Sequence, residues 1–243
     1  MNIIKLNAID STNDYLKRLS STQVLENFTV VTAENQTNGK GQMGAKWNSE
    51  NGKNLIVSIL IKNILKQTSD IFNLNVAITA AIATTLIDID IPHISIKWPN
   101  DILSDSKKIA GILIENTLKT DGSIISIIGF GLNINQTSFE NLPQASSLCN
   151  ITHQIYDKDL ILSNIIDNIQ FNISLLSKGI NDILWEKYHD LLFKKNIFMP
   201  FKDSNHQTFM GKIVGVTAHG KLEIVLENNI IKTFDLKEIT MLY

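Results

Sequence analysis

Two apolar segments, "FTVVTAE" and "NLIVSILI", are joined by "NQTNGKGQMGAKWNSENGK", and this joint constrains the fold more than any other stretch of the chain. Both flanks are rich in β-branched residues and read as strands. The joint contains G-x-G-x-x-G at Gly39, Gly41 and Gly44. In a dinucleotide-binding turn that spacing lies between a strand and a helix, with an acidic residue about 20 positions on. Here "AKWNSENGKN" holds three asparagines and a glycine and is poor helix material. Where the acid belongs stand Ile59, Leu60, Ile61 and Lys62. The chain therefore runs strand, glycine loop, strand, and the dinucleotide reading fails.

The remaining elements follow from periodicity and turn chemistry. "MNIIKLNAI" reads as a strand, and Ser11, three residues ahead of Asp14, is a capping-box-like start for a helix at "DYLKRLS". "SDIFNLNVAITAAIATTLID" predicts a buried helix. "ISIKW", "KIAGILIEN" and "SIISIIGFGLNI" predict three further strands, parted by turns at "PND" with "SDSKK" and at "KTDG". Two amphipathic helices follow, "DLILSNIIDNIQFNISLLS" and "INDILWEKYHDLLF". From about Lys195 short strands with tight turns at "TAHG" and "ENN" predict a small barrel. The expected division is 1–193 for a large domain and 194–243 for the small one.

With 243 residues, 44% of them hydrophobic, the chain can bury a real core. A net charge of -2 argues against a surface that grips nucleic acid through its phosphates. Cys149, the single cysteine, cannot form an internal disulfide and reads as a small buried hydrophobe, which fits the reducing cytosol. The N-terminus has no apolar stretch of signal-peptide length, and "NLIVSILI" is too short to cross a bilayer, so a soluble, cytoplasmic protein is expected. His93, His153, His189, His206 and His219 show no metal-ligand spacing, and neither G-x-S-x-G nor a Walker A sequence occurs.

Four stretches carry chemistry. The glycine loop, with Lys40, Lys46 and a terminal Trp47, is either an anion cradle of inward N–H groups or a mobile surface loop. Three glycines and little apolar content leave it nothing to pack on, and mobility is expected when it is empty. In "KWPND", Pro99 biases Trp98 to an extended backbone, and the turn displays Asn100 and Asp101, suited to a phosphate-bound cation or to a plain turn. In "KKIAGILIE", alternation turns either Lys107 or Lys108 to the covered face beside Ala110 and Gly111. A lysine there would neutralise a carboxylate attacking a phosphate; the plainer alternative is two solvated lysines. In "GFGLNIN", Gly129 and Gly131 admit close approach, and Asn133 suits a base or a ribose, unless this is only a bulged strand end.

In this order, "STN", "QTNGKGQMGAKW", "KWPND" with "KKIAGILIE", and "GFGLNIN", from about Ser11 to Asn135, resemble the biotin protein ligase (biotin–[acetyl-CoA-carboxylase] ligase) family. The resemblance implies an α+β fold, a mixed or antiparallel sheet with flanking helices of the class II aminoacyl-tRNA synthetase/biotin ligase type, with a small C-terminal SH3-like barrel. It implies ATP, biotin and Mg2+, an adenylate intermediate, and a biotin carboxyl carrier protein as partner. Carried over by position, Ser11, Thr12, Asn13, Gln36, Gly39, Lys40, Gly41, Gln42, Lys108 and Gly111 would bind biotin. Lys40, Gln42, Trp47, Asn100, Asp101, Lys108 and Asn133 would bind the nucleotide, with Lys108 catalytic and Asp101 the candidate metal ligand.

Two departures qualify the resemblance. The family loop has the form G-R-G-R-x-G-R-x-W, and its arginines are here Lys40, Gln42 and Ala45. A loop without guanidinium forks should hold an adenylate less firmly and lean on backbone N–H groups and Lys108. Secondly, "STN" begins at residue 11, so a ligase without a DNA-binding domain is expected, with no DNA or membrane partner; a homodimer is compatible with this reading. The rival readings are a lipoate–protein ligase and a non-catalytic biotin-binding homologue.

Overall fold

The computed structural model describes residues 2–65, 67–140 and 142–243. Its centre is an antiparallel trio: β3 (Leu55–Lys62) pairs with β7 (Ile124–Leu132), which pairs with β6 (Lys107–Leu118). Outside them lie β1 (Ile3–Ile9), β2 (Val30–Gln36), β4 (Ile94–Lys97) and β5 (Asp101–Ser104), giving the order β1-β2-β3-β7-β6-β5-β4. Only β1 and β2 run parallel, so the sheet is mixed, as expected.

β3 is buried at every position except Lys62 and shows no polar alternation, because both of its faces are covered. On one face lie α2 (Ile71–Asp88), α4 (Lys158–Ser177) and α5 (Asp182–Asp190). Leu74, Ile78 and Ile82 of α2 and Ile165 and Ile169 of α4 share a core with Val57, Ile59 and Ile61. On the other face, α1 (Thr12–Thr22) packs Leu16 against Val31, Leu60 and Ile127. α1 is short, with 11 residues, and leaves the Leu55 end of that face uncovered by any helix. The candidate site lies there.

Ser11 caps α1, its hydroxyl accepting from the Asp14 N–H at 3.4 Å. The reciprocal half of the box comes from Asp10, which accepts from the Ser11 N–H at 2.8 Å, and not from Asp14. Sequence reading missed α3 (Leu148–Thr152) and placed turns at "PND" and "SDSKK" without the short strand between them, β5, which Asp101 opens. Four residues between polar neighbours are too few to show a period. The Trp98–Pro99 peptide is cis.

The C-terminal segment forms five antiparallel strands: β8 (Phe198–Asp203), β9 (Thr208–Val216), β10 (Leu222–Leu226), β11 (Ile231–Phe234) and β12 (Ile239–Met241). Their order is β11-β10-β9-β8-β12, consistent with an SH3-like module. β8 and β12 escaped the sequence reading because Pro200 and Lys202 break the apolar pattern of one, and the other has three residues.

The core of this second sheet is continuous with that of the first. Phe201, Ile213, Leu222 and Ile224 belong to the same buried cluster as Leu74 and Ile96. Trp98 Nε1 donates to the Gly220 carbonyl at 2.8 Å in the β9–β10 turn. Gly220 has φ +85°, and a Cβ there would stand 2.3 Å from the Phe72 ring. His189 of α5, packed against Trp185 and Tyr188, accepts the Val216 N–H at Nε2 over 3.1 Å.

Burial holds the His189 imidazole below its ordinary value, with Lys195 acting in the same direction. Protonation would turn the acceptor of the Val216 N–H into a second donor. Because the folded value is depressed, this contribution is present above about pH 6.5 and is lost as pH falls through the folded value. Urea unfolding should therefore lose about 1 kcal/mol across that acid window, and the dependence should flatten in His189→Leu.

Candidate active site

The "STN" turn forms the first wall. The Thr12 N–H donates to Gln36 Oε1 at 2.7 Å, and the Thr12 hydroxyl donates to the same oxygen at 3.1 Å. Ser58, the one polar residue within "LIVSILI", lies 2.8 Å from Thr12 Oγ1 and donates to Asn13 Oδ1 at 2.5 Å. Asn13 Nδ2 donates to Glu115 Oε2 at 2.9 Å, so both ends of that amide are fixed. Gly129 makes room for it, since a Cβ would stand 2.3 Å from Asn13 Oδ1. Ser11, Thr12, Asn13 and Ser58 are all buried, and a buried polar network of this kind is stable only when its partners are satisfied.

The floor is made by glycines. Gly111 of β6 stands directly opposite Gly131 of β7. Trp47 lies on that pair: a Cβ at Gly131 would meet its ring at 2.2 Å and one at Gly111 at 3.2 Å. Trp47 Nε1 is buried and has no hydrogen-bond partner among the described residues. Gly111 also leaves space for Lys108, whose Nζ would be 3.2 Å from an added Cβ.

The far wall carries charge. Lys108 Nζ sits 2.6 Å from Asp101 Oδ1. Strict alternation from Gly111 would turn Ile109 and Lys107 to the site. The β5–β6 register shifts between Ile102 and Leu103, so Ile109 is the extra residue and Lys108 takes the inward position. Of the two lysines left open by the sequence, the structure thus selects Lys108. Lys107 donates instead to the Pro143 carbonyl. Asn100 is buried, its Nδ2 donating to the Ile112 carbonyl.

The glycine loop closes the top as a ring. Lys40 and Lys46 form an isolated antiparallel bridge, Gly41 N–H donates to the Ala45 carbonyl at 2.7 Å, and Trp47 N–H to the Gly39 carbonyl at 3.0 Å. Lys40 Nζ lies 2.8 and 2.7 Å from the two carboxylate oxygens of Asp14. That hydrogen bond, with the charges of Asp14, Glu115 and Asp10, raises the Lys40 pKa against burial.

These walls enclose a cavity of about 260 Å³. Of the residues singled out in the sequence, Ser11, Thr12, Asn13, Gln36, Lys40, Gly41, Gln42, Trp47, Asn100, Asp101, Lys108 and Gly111 line it. Gly39 and Asn133 do not. Gly39 is wedged between the Trp47 carbonyl and Gln36, and Asn133 Nδ2 is held by the Ser146 carbonyl at 3.0 Å. Ser58 and Glu115 were missed. A lone serine in an otherwise apolar strand was the signal for the first; Glu115 had none, since its partner is 102 residues away. Among the described residues no cluster of three His, Cys, Asp or Glu exists, and Asp101 is the one carboxylate on the lining. One carboxylate beside an asparagine fits Mg2+ carried in on nucleotide phosphates, not a metal held by protein alone.

Gly131→Ala should lift Trp47 from its floor without unfolding the sheet. Tryptophan fluorescence should become more accessible to iodide, while the thermal midpoint falls by only a few degrees, about 1–2 kcal/mol.

Residues 6–135 match the Biotin/lipoate A/B protein ligase family. Over 96% of this chain and 72% of the relative, it is 31% identical to the "Bifunctional ligase/repressor BirA" of Bacillus spizizenii. It is 29% identical to the "Biotin--[acetyl-CoA-carboxylase] ligase" of Mycobacterium tuberculosis over 67% of this chain, spanning 60% of that protein. Among solved structures, the biotin protein ligase from Aquifex aeolicus in complex with biotin and ATP superposes with a TM-score of 0.81 at 25% identity, covering 99% of this chain and 98% of that one. The motifs, the site they build and these matches agree, and the chain belongs to the Biotin/lipoate A/B protein ligase family.

Proposed function

We propose that this chain is an ATP-dependent ligase that activates biotin as biotinyl-5′-adenylate and transfers the biotinyl group to a lysine of a biotin carboxyl carrier protein. The observation that carries this reading is the cavity's polarity. A fixed, uncharged hydrogen-bonding wall at Thr12, Asn13 and Gln36, with Ser58 holding Thr12 and Asn13 from behind, faces a lysine–carboxylate pair at Lys108 and Asp101. An uncharged ureido ring suits the first wall, and a carboxylate meeting a phosphate suits the second.

In the first step a biotin carboxylate oxygen bonds to the α-phosphorus of ATP, and the bond to the bridging oxygen breaks, pyrophosphate leaving with the electron pair. Two anions must meet, so the role of the protein is to place them and to offset their charge. Lys108 would do this at the junction, and Lys40 and Lys46 of the glycine ring, both on the cavity lining, would add positive charge beside it, since the Gly41, Ala45 and Trp47 N–H groups are already bonded within the ring. In the second step the neutral carrier amine attacks the acyl carbon, AMP leaves with the electron pair of the anhydride bond, and the amine proton passes to solvent. Both nucleophiles are substrates, which agrees with a cavity that offers no serine–histidine or cysteine–histidine pair. Asp101 with Asn100 would receive Mg2+ on the nucleotide phosphates, where the ion supplies further charge neutralisation.

The deciding experiment is incubation with ATP, magnesium and either biotin or lipoate, with a carrier domain, read as mass gain on the carrier lysine. Gain with biotin supports the proposal; gain only with lipoate, or none, rejects it. Lys108→Ala should slow adenylate formation about 10²- to 10³-fold, measured as biotin-dependent pyrophosphate exchange. Wild-type exchange in that variant would remove Lys108 from the mechanism. Gln42→Arg, which restores a guanidinium to the loop, should slow the release of bound biotinyl-adenylate. An unchanged off-rate would show that the missing charge has no bearing on retention.

A further inference from the structure

We infer that Asp14 is a positioning residue of this site: its carboxylate holds Lys40 and thereby latches the glycine ring down onto the start of α1. The inference rests on the proposed function only for what the ring covers; the latch itself is formed by this chain's own residues.

Three observations meet at this pair. Asp14 is well placed to hold something, because its own backbone is fixed by the Ser11 cap in the first turn of α1, next to the Thr12 and Asn13 wall. Lys40 Nζ is centred on the carboxylate, 2.8 and 2.7 Å from its two oxygens, with side-chain exposures of 42% and 24% for Lys40 and Asp14. Thirdly, the ring is bonded chiefly to itself. The Lys40–Lys46 bridge and the bonds Gly41 to Ala45 and Trp47 to Gly39 make it one unit. Trp47 on its glycine floor anchors one end of 39–47, and pinning Lys40 holds the other side of the same unit.

The sequence of the ring explains why a latch matters here. Positions 42 and 45 are Gln and Ala, so Lys40 and Lys46 are its only charges. Asp14 does not line the cavity, so a change there alters no direct contact with a bound molecule. An exposed pair of this kind contributes little, about 1 kcal/mol or less, and salt weakens it. That modest strength suits a latch that must open to admit a ligand.

The test is hydrogen exchange of the unliganded protein by mass spectrometry, with α4 amides as the internal reference. In low salt, Asp14→Asn should speed exchange across 39–47 by about two- to fivefold and leave α1 and α4 unchanged. The same substitution in a Lys40→Met background should add nothing, and Asp14→Glu should restore slow exchange. In 1 M salt the difference between the wild type and Asp14→Asn should narrow, since salt weakens a partly exposed ion pair. Release of biotinyl-adenylate from Asp14→Asn should quicken by a similar factor. Unchanged lid exchange overturns the inference, as does an equal effect in the Lys40→Met background, or a loosening of α1 together with the lid. Because exchange needs no ligand, a chain that fails to form adenylate would reject the functional reading while leaving the latch to be judged separately.

Discussion

The register of β6 against β7 is the constraint on which the site depends. It sets Gly111 opposite Gly131 and Leu113 opposite Gly129, while β3 places Ile56 beside Gly131 and Ser58 beside Gly129. One row thus becomes the bare floor beneath Trp47, and the next gives Ser58 to the α1 wall. In an antiparallel sheet a slip of one residue would turn both rows to the helical face. Glycine and serine would then sit against α2 and α4, and Ile128 and Phe130 would fill the cavity. The strongly apolar covering on the helical face excludes that slip, so the hydrophobic core specifies the polar site.

Two of the three lysines on the cavity lining are held in ion pairs. Lys108 rests against Asp101, and Lys40 against Asp14. Partly buried cations without partners would be costly to desolvate. The two carboxylates offset that cost for Lys108 and Lys40. The bulge at Ile109 matters for the same reason, since it decides which of two adjacent lysines takes part.

Much of this was legible in the sequence. The strand–loop–strand reading of 28–62 came from composition alone, and the resemblance placed twelve residues that line one cavity. What escaped reading depends on pairings distant along the chain. Glu115 has meaning only through Asn13, and Asp14 looked like half of a capping box until Lys40 was seen beside it. Local pattern could not decide between Lys107 and Lys108, because a bulge is a property of two strands. Asn133 shows the opposite limit: its position in a motif was plain, but its amide is used to hold the Ser146 carbonyl.

The tryptophan of "KWPND" has a partner outside the large sheet. Trp98 reaches the Gly220 carbonyl, and the Pro99 carbonyl between Trp98 and Asn100 accepts from Asn75 and from Tyr188 of the helix that carries His189. The turn that presents Asn100 and Asp101 is thus braced from the C-terminal sheet as well as from the core. A turn at the edge of a small sheet is ordinarily free to vary, because it runs over the surface. Here the β9–β10 turn has no such freedom: φ +85° and the Phe72 ring 2.3 Å from where a Cβ would stand make glycine the residue that fits at 220, and any side chain there would push on the turn that Trp98 holds.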